Sequence, residues 1–186
     1  KALNQPIYNL LGGKVHEKLR SYTYLYPAPQ SETRDVLSVA DAFGDPDIAP
    51  KRAAVYLDQG FTAVKFDPVM PISAFDPRQL SLEALDNAEV VTRNVREAVG
   101  SKCDLLIGTH GQMTTSSAIR LAKRLEPFDP LWLEEPVPPE NRKEMSRVAQ
   151  STSIPVATGE RLTTKYEFAD LLDRQAASII QPALGR

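Results

Sequence analysis

Several features that would narrow the class of this chain at once are scarce or missing. Cys103 is the single cysteine, so no disulfide can form within the chain, and a reducing, cytoplasmic location is expected. The N-terminal residues lack the charged-then-apolar pattern of a signal peptide, and no apolar run approaches the length of a membrane span. The formal net charge is only −2, which gives no support for binding to nucleic acid or to an anionic membrane surface. We therefore expect small-molecule partners, and neither nucleic acid nor a membrane.

The rest of the composition indicates a globular domain in which strands and helices alternate. Of the 186 residues, 42% are hydrophobic and 25% are charged, which is enough apolar material for a core. Strands are predicted near residues 19–26, 63–66, 104–108, 131–134, 155–158 and 178–181. Helices are predicted over residues 47–59, 81–99, 114–125, 141–150 and 164–175. Alternation of this kind is typical of a parallel α/β sheet.

The regular spacing of the strands favours an α/β fold of the TIM type, here a partial (β/α) barrel. About six βα units are present, whereas a complete barrel has eight strands in roughly 250 residues. A doubly wound open sheet is the alternative, but no glycine-rich phosphate loop follows the first strand to favour it. Two long proline-rich connections, at residues 26–50 and 67–80, are candidate walls of an active site. The second is equally compatible with ordinary surface packing.

Two strings that contain acids are the most informative feature of the sequence. LWLEEP at residues 131–136 contains Glu134, and VATGER at residues 156–161 contains Glu160, roughly one βα unit further on. Because the C-terminal ends of parallel barrel strands converge on one face, we expect the two carboxylates to lie together. Carboxylate oxygens suit a divalent cation such as Mg²⁺, so both acids are candidate metal ligands. The alternatives are that they cap helices or pair with Arg161.

The second and third predicted strands also end in polar residues. Lys65 and Asp67 flank Phe66, so their side chains point to the same side of the strand. His110 follows the third strand in a glycine-flanked loop, an open position that suits a general acid. Such a set of residues suits removal of a proton next to a substrate carboxylate. A metal would neutralise that carboxylate and stabilise the enediolate, and a Lys, Asp or His would move the proton. Lys65, Asp67 and His110 are therefore candidate catalytic residues.

Each candidate also has a purely structural interpretation. Lys65 can pair with Asp67 or with Glu134. Asp67 precedes a proline and can be a turn residue, and His110 can be a hydrogen-bonded structural histidine. Glu135, which follows Glu134, is expected to lie behind the metal ligands or to pair with an arginine. The sequence alone leaves these alternatives open.

As a set, the strings resemble the enolase superfamily, in its mandelate racemase and muconate lactonizing enzyme branch, which includes sugar-acid dehydratases. GFTAVKFDP at residues 60–68 looks like the second barrel strand of that family. EEP at residues 134–136 and GER at residues 159–161 look like its second and third metal-ligand motifs. Residues 1–18 resemble the tail of its N-terminal capping domain and the linker to the barrel, so the partial barrel would occupy residues 19–186. The resemblance implies a homo-oligomer that binds Mg²⁺ and removes the α-proton of a small carboxylate substrate.

Three positions depart from the pattern of that family. Its first metal ligand is an Asp at the end of the third strand, where this chain has Gly108. Its racemases carry Lys-x-Lys on the second strand, with the second Lys as base, where this chain has Asp67. Its sixth strand usually supplies an Asp that orients a His, where this chain has Ala183. The resemblance therefore implies one of two things: another group, such as His110, water or substrate, completes the metal shell, or metal binding is weak.

The function that we predict is dehydration of an acid sugar. Under this hypothesis Lys65 neutralises the substrate carboxylate, and His110 is the general acid on the departing hydroxyl or otherwise transfers the proton. Asp67 acts beside them or orients them, and Glu134 and Glu160 hold Mg²⁺. A racemase or cycloisomerase of the same superfamily is one alternative. A non-catalytic member that binds a carboxylate is another, supported by the missing first ligand.

Overall fold

A six-stranded parallel sheet forms the centre of the chain. The computed structural model describes residues 2–26, 43–69 and 79–185. The strands are β1 (Thr23–Tyr24), β2 (Ala63–Phe66), β3 (Asp104–Gly108), β4 (Trp132–Glu134), β5 (Val156–Thr158) and β6 (Ile179–Ile180). They lie side by side in sequence order, and each pairs in parallel with the next. This order is that of consecutive βα units, which confirms the predicted α/β class and fits a partial barrel.

The helices alternate with the strands, and the last four of them begin directly after a residue whose side chain caps them. They are α1 (Ile7–Leu10), α2 (Ile48–Asp58), α3 (Leu82–Val99), α4 (Thr115–Leu125), α5 (Arg142–Ala149) and α6 (Lys165–Asp173). Short 3₁₀ turns follow α3 and α4, at Gly100–Lys102 and Glu126–Phe128. The side chains that accept a backbone N–H in the first turns of α3 to α6 are those of Ser81, Thr114, Asn141 and Thr164. Because these signals are local, the five predicted helices agree with the structure to within two residues at each end.

The first strand is shorter than predicted. The sequence predicts a strand near residues 19–26, whereas β1 pairs with β2 at two positions. Before β1, Arg20 donates from Nε to Oγ1 of Thr62 at 2.8 Å and forms an ion pair with Asp104 at 2.7 Å. Side-chain contacts rather than ladder hydrogen bonds therefore hold this segment against the sheet.

The strands bury side chains on both faces of the sheet. A large apolar cluster lies between the sheet and the helices, and its β2 and β3 members are Val64, Phe66, Leu105 and Ile107. The intervening strand positions face the other way and form a smaller apolar cluster of Ala63, Leu106, Trp132 and Ala157. Because side chains alternate along a strand, Lys65 and Glu134 share the face of this smaller cluster. The polar candidates therefore lie on the face opposite the helices, at the C-terminal ends of the strands.

Further features lie away from these strand ends. The single cysteine, Cys103, is buried. Among the described residues, no helix combines the length and the apolar character that crossing a membrane requires. Of the connections at residues 26–50 and 67–80, most lies outside the described residues. Their role as active-site walls stays a prediction.

Candidate active site

A buried ion pair joins the ends of β2 and β4. Lys65 Nζ contacts Oε1 of Glu134, and the two residues are only 4% and 5% exposed. The same Nζ lies 4.9 Å from the centre of the Tyr24 ring, and Tyr24 is the register partner of Lys65 on β1. Gln181, directly after β6, donates from Nε2 to Oε2 of Glu134 at 3.0 Å. Of the two ion pairs that the sequence allowed for Lys65, the structure therefore contains the one with Glu134.

Asp67 and His110 form a second pair beside the first. Asp67 lies one residue beyond β2, and its Oδ2 atom faces Nδ1 of His110 at 3.4 Å. The Oδ1 atom of Asp67 is buried and has no hydrogen-bond partner in the described part of the chain. Burial raises the pKa of Asp67, and the positive charges of His110 and Lys65 act in the opposite direction. Asp67 therefore directs one carboxylate oxygen to the His110 imidazole, and its other oxygen is left for a further partner.

Gly108 ends β3 at a point where space is limited. In the sheet register it lies opposite Glu134 on β4. A side chain at this position would overlap Oδ1 of Asp67 and would meet Cε of Lys65 at 3.2 Å. The place where the family resemblance led us to expect an acid from β3 is therefore filled by an acid from β2.

The loops after β3 and β4 are held in an uncommon backbone conformation. His110 and Glu135 have φ angles of 54° and 45°, in the left-handed region that residues other than glycine seldom adopt. Gly111 N donates to the carbonyl of Glu135 at 2.6 Å, and the Thr109 hydroxyl lies 2.7 Å and 2.8 Å from the carbonyls of Glu134 and Glu135. These contacts tie the two loops to each other and fix the position of the His110 backbone.

Arg161 fastens the same loops from the end of β5. Its Nη2 atom lies 2.8 Å from Oε2 of Glu135 and 3.1 Å from the His110 carbonyl. Glu135 is only 1% exposed, and burial raises its pKa while the Arg161 charge acts against this rise. The expectation that Glu135 pairs with an arginine is confirmed.

Glu160 and Tyr24 complete the set of polar groups at this edge. Glu160 is half-buried and follows Gly159, which has a φ angle of 135° just after β5. Burial raises the pKa of Tyr24 well above its usual value, and the negative charges of Asp67, Glu134 and Glu160 add to this rise. Tyr24 is therefore a neutral hydroxyl next to the Lys65 ammonium group.

The donor atoms at this edge suit Mg²⁺ in their chemistry. Mg²⁺ prefers oxygen ligands, and Asp67, Glu134 and Glu160 supply carboxylates from the ends of three strands. Asp67 Oδ1 is moreover a buried acceptor without a partner in the described residues. Within those residues, no three His, Cys, Asp or Glu side chains stand close enough to enclose a metal ion. Glu134 accepts from Lys65 and Gln181, so it would exchange at least one of these donors for a cation.

The structure brings most of the predicted site residues together. Lys65, Asp67, His110 and Glu134 form one connected cluster, and Glu160 lies two residues beyond the end of β5, the next strand along the sheet. Sequence reasoning missed two residues that touch this cluster, Tyr24 and Gln181. Both lie at the ends of the first and sixth strands. Because all parallel strands end at one edge, this position could have indicated that they reach the site.

Comparison with known proteins identifies the family. A family model described as "Enolase C-terminal domain-like" matches residues 49–186. The chain belongs to this family. It is 48% identical to a mandelate racemase/muconate lactonizing enzyme-like protein from Roseovarius sp. TM1035. It matches the solved structure of that protein with a TM-score of 0.90. This match covers 100% of the present chain and 45% of the other. A solved chain from Burkholderia SAR-1 is 58% identical, with a TM-score of 0.89 and coverages of 100% and 44%.

Two curated relatives of the chain are named as dehydratases. It is 34% identical over 189 residues to a D-xylonate dehydratase from Haloferax volcanii, with 100% of this chain and 43% of that protein covered. It is 33% identical over 184 residues to a D-gluconate/D-galactonate dehydratase from Picrophilus torridus, with coverages of 99% and 43%. The chain thus spans less than half the length of these relatives.

Proposed function

We propose that this protein removes water from an acid sugar. The observation that carries the proposal is the cluster at the ends of β2, β3 and β4, where the buried residues Lys65, Asp67 and Glu134 meet the partly exposed His110. Its groups supply a cation for a carboxylate and an imidazole for proton transfer, as dehydration beside a carboxylate requires. The curated relatives, named for D-xylonate, D-gluconate and D-galactonate, support an acid sugar as the substrate class.

Lys65 anchors the substrate carboxylate in this proposal. A buried ammonium group is stable only beside an anion, and Glu134 is that anion in the structure. The carboxylate of an acid sugar carries the same charge and takes the place of Glu134 at Nζ. The substrate is then held by the group adjacent to the carbon that loses its proton.

His110 transfers the proton, and Asp67 orients it. Because Nδ1 faces Asp67 Oδ2, the other ring nitrogen, Nε2, is directed to the substrate. The imidazole accepts the α-proton and passes it to the hydroxyl on the β-carbon, whose C–O bond breaks to release water. The resulting enol tautomerises to a 2-keto-3-deoxy acid, so atoms and charges balance.

Glu134 and Glu160 are the proposed Mg²⁺ ligands. A bound Mg²⁺ supplies positive charge that offsets the negative charge developing on the substrate carboxylate. The assignment depends on the chemistry of the donors, because carboxylates at successive strand ends are hard oxygen ligands.

The test is product formation by the purified full-length protein with D-xylonate, D-gluconate and D-galactonate. We expect a 2-keto-3-deoxy acid from at least one of them, and a fall in kcat of about 10²–10⁴ for His110→Asn, the range for loss of general acid–base catalysis. His16→Asn is the matched control, because His16 is exposed on the segment before β1. Epimerised or cyclised products would favour the racemase or cycloisomerase alternative.

A non-catalytic member that binds a carboxylate is the second candidate. It is favoured by Gly108, which removes the acid expected on β3, and by the Lys65 contact to Glu134. Such a protein would bind the acid sugars with measurable heat but release them unchanged. Binding without turnover in any of the three sugars, with Mg²⁺ present, would support it.

A further inference from the structure

Asp67 and Gly108 share one region of space at the ends of β2 and β3. The Asp67 carboxylate lies where a side chain at position 108 would begin, so the absence of a side chain on β3 and the presence of an acid on β2 are matched. The two positions are neighbours through the pairing of β2 with β3. An acid is therefore retained at this place in the sheet, although another strand supplies it.

The buried oxygen of Asp67 points to a missing cationic partner. Asp67 is 3% exposed, and its Oδ1 atom has no hydrogen-bond donor in the described part of the chain. Burying a carboxylate oxygen without a partner costs free energy, which a cation at that atom would offset. Two other buried side-chain atoms without partners there, Gln112 Oε1 and Trp132 Nε1, carry no formal charge.

Three polar residues beside the missing acid on β3 have contacts of their own. The Thr109 hydroxyl contacts the carbonyls of Glu134 and Glu135. His110 directs Nδ1 to Asp67, and Glu135 accepts from Arg161. Among these groups, Asp67 Oδ1 is the buried acidic oxygen that accepts no hydrogen bond in the described part of the chain.

We propose that Asp67 is a ligand of the divalent cation, so that the carboxylate which position 108 lacks is supplied from the end of β2. Oδ1 binds the cation while Oδ2 faces His110, and one carboxylate connects the metal with the imidazole. The inference rests on the proposed function, because it takes Glu134 and Glu160 as the other acidic ligands. Binding requires these three carboxylates to move closer together than they stand in the structure. The inference goes beyond the proposed function because it assigns Asp67 as a metal ligand. It also explains Gly108, since a side chain there would overlap the Asp67 carboxylate.

The test is Mg²⁺ binding to the full-length protein by titration calorimetry, repeated with Mn²⁺ by electron paramagnetic resonance. Two variants are compared with the wild type: Asp67→Asn and the double variant Asp67→Gly/Gly108→Asp. We expect Asp67→Asn to weaken binding at least about tenfold, in the range seen when metal-site partners are removed. We expect the double variant to regain affinity to within about threefold of wild type, because the carboxylate returns to the same place from β3. Asp173→Asn is the matched control, since Asp173 is exposed at the end of α6.

Circular dichroism and thermal unfolding without metal identify variants that fail to fold. If Asp67→Asn is unfolded, the double variant decides: restored affinity supports the inference, and a folded double variant without affinity overturns it. Unchanged affinity in a folded Asp67→Asn also overturns the inference, while wild-type binding leaves the proposed Mg²⁺ site intact. No binding by the wild type would instead reject the metal-dependent function itself, together with the inference.

Discussion

The ion pair between Lys65 and Glu134 sets two opposite charges where water is largely excluded. Each charge depends on the other, because removal of one partner leaves an uncompensated buried charge. Gln181 and the Tyr24 ring add a hydrogen bond and a cation–π contact, which together enclose the pair. The residues proposed for substrate binding are therefore also residues on which the fold depends.

We expect Lys65→Met to lower the free energy of unfolding by about 3–5 kcal/mol, because it leaves Glu134 buried without its cation. Adding Glu134→Gln should recover part of this loss, since the stranded charge is then removed. Urea unfolding of both variants measures the effect. Lys123→Met is the matched control: Lys123 is 56% exposed in its ion pair with Glu126, and its loss should cost less than about 1 kcal/mol. Equal costs for the two lysines would contradict the interpretation.

At the scale of elements, the loops after β3 and β4 are fixed by contacts that come from β5. The guanidinium of Arg161 bridges the Glu135 carboxylate and the His110 carbonyl. Both residues hold left-handed backbone angles, which are strained in residues other than glycine, so the bridge opposes relaxation of each loop.

Arg161→Lys should loosen both loops, because an ammonium group cannot span the two acceptors as a guanidinium does. We expect a loss of about 1–3 kcal/mol in the free energy of unfolding, the range for hydrogen bonds to charged groups. We also expect faster hydrogen exchange at the Gly111 amide, which donates to the Glu135 carbonyl. Arg174→Lys is the control, since Arg174 is exposed in its pair with Asp170. If Gly111 keeps its protection, the bridge is not what holds the loops.

The turn that joins α4 to β4 has a pH-sensitive contact. Glu126 accepts from the Ser153 amide at 2.9 Å and the Thr152 hydroxyl at 2.8 Å, and it pairs with Lys123 at 3.0 Å. These donors stabilise the carboxylate and lower the pKa of Glu126 from the usual 4.5 to about 2. The link between this turn and the segment before β5 is therefore strongest when Glu126 is ionised.

Because the folded pKa of Glu126 lies below its unfolded value, its stabilisation is complete above pH 4.5 and is lost as the pH falls towards about 2. We expect Glu126→Gln to be less stable than wild type at neutral pH and to show a smaller fall in stability over that acid range. Denaturant unfolding at several pH values measures this. Glu140→Gln, at an exposed carboxylate, should follow the wild-type pH profile. Parallel profiles for wild type and Glu126→Gln would reject the assignment.

The sequence predicts elements well where their signals are local. β3 is found at its predicted residues, and α3 and α4 begin next to the serine and threonine that cap them. β1 is shorter than its sequence pattern indicates because it pairs with β2 at two positions only. Strand length depends on the partner, and a partner far along the chain leaves no local signal.

The sequence named most of the residues that the structure brings together, but it did not decide between the possible partners of Lys65. Lys65 and Glu134 stand at strand ends in the sequence, yet their contact requires β3 to lie between their strands with Gly108 opposite Glu134. Tyr24 and Gln181 reach the cluster from β1 and β6, and only the assembled sheet brings them near. Pairings across strands are a property of register, which local patterns do not contain.

At the scale of the whole molecule, the sequential parallel order of the sheet gathers the polar side chains of the candidate site at one edge. Every strand ends at the same edge, so acids that are separated by a helix in the sequence face a common region. Glu134 and Glu160 are separated in this way by α5.

We expect Glu134→Gln and Glu160→Gln each to abolish Mg²⁺ binding that is measurable in the wild-type full-length protein, because each removes one charged oxygen ligand. Calorimetry under identical conditions gives the comparison. Glu97→Gln on α3 is the control, since Glu97 is exposed. Retained binding in either variant would remove that glutamate from the metal site.

The burial of Lys65 makes its amine a chemical reporter of the site. A reagent that acylates exposed lysines should modify the surface amines and spare Lys65, which is 4% exposed and held by Glu134. Mass spectrometry of the labelled peptides would then measure the rate at which Lys65 is modified, and hence how often its amine becomes exposed. A ligand that draws Lys65 away from Glu134 would change that rate of modification, so covalent labelling can follow the site without any knowledge of the reaction product.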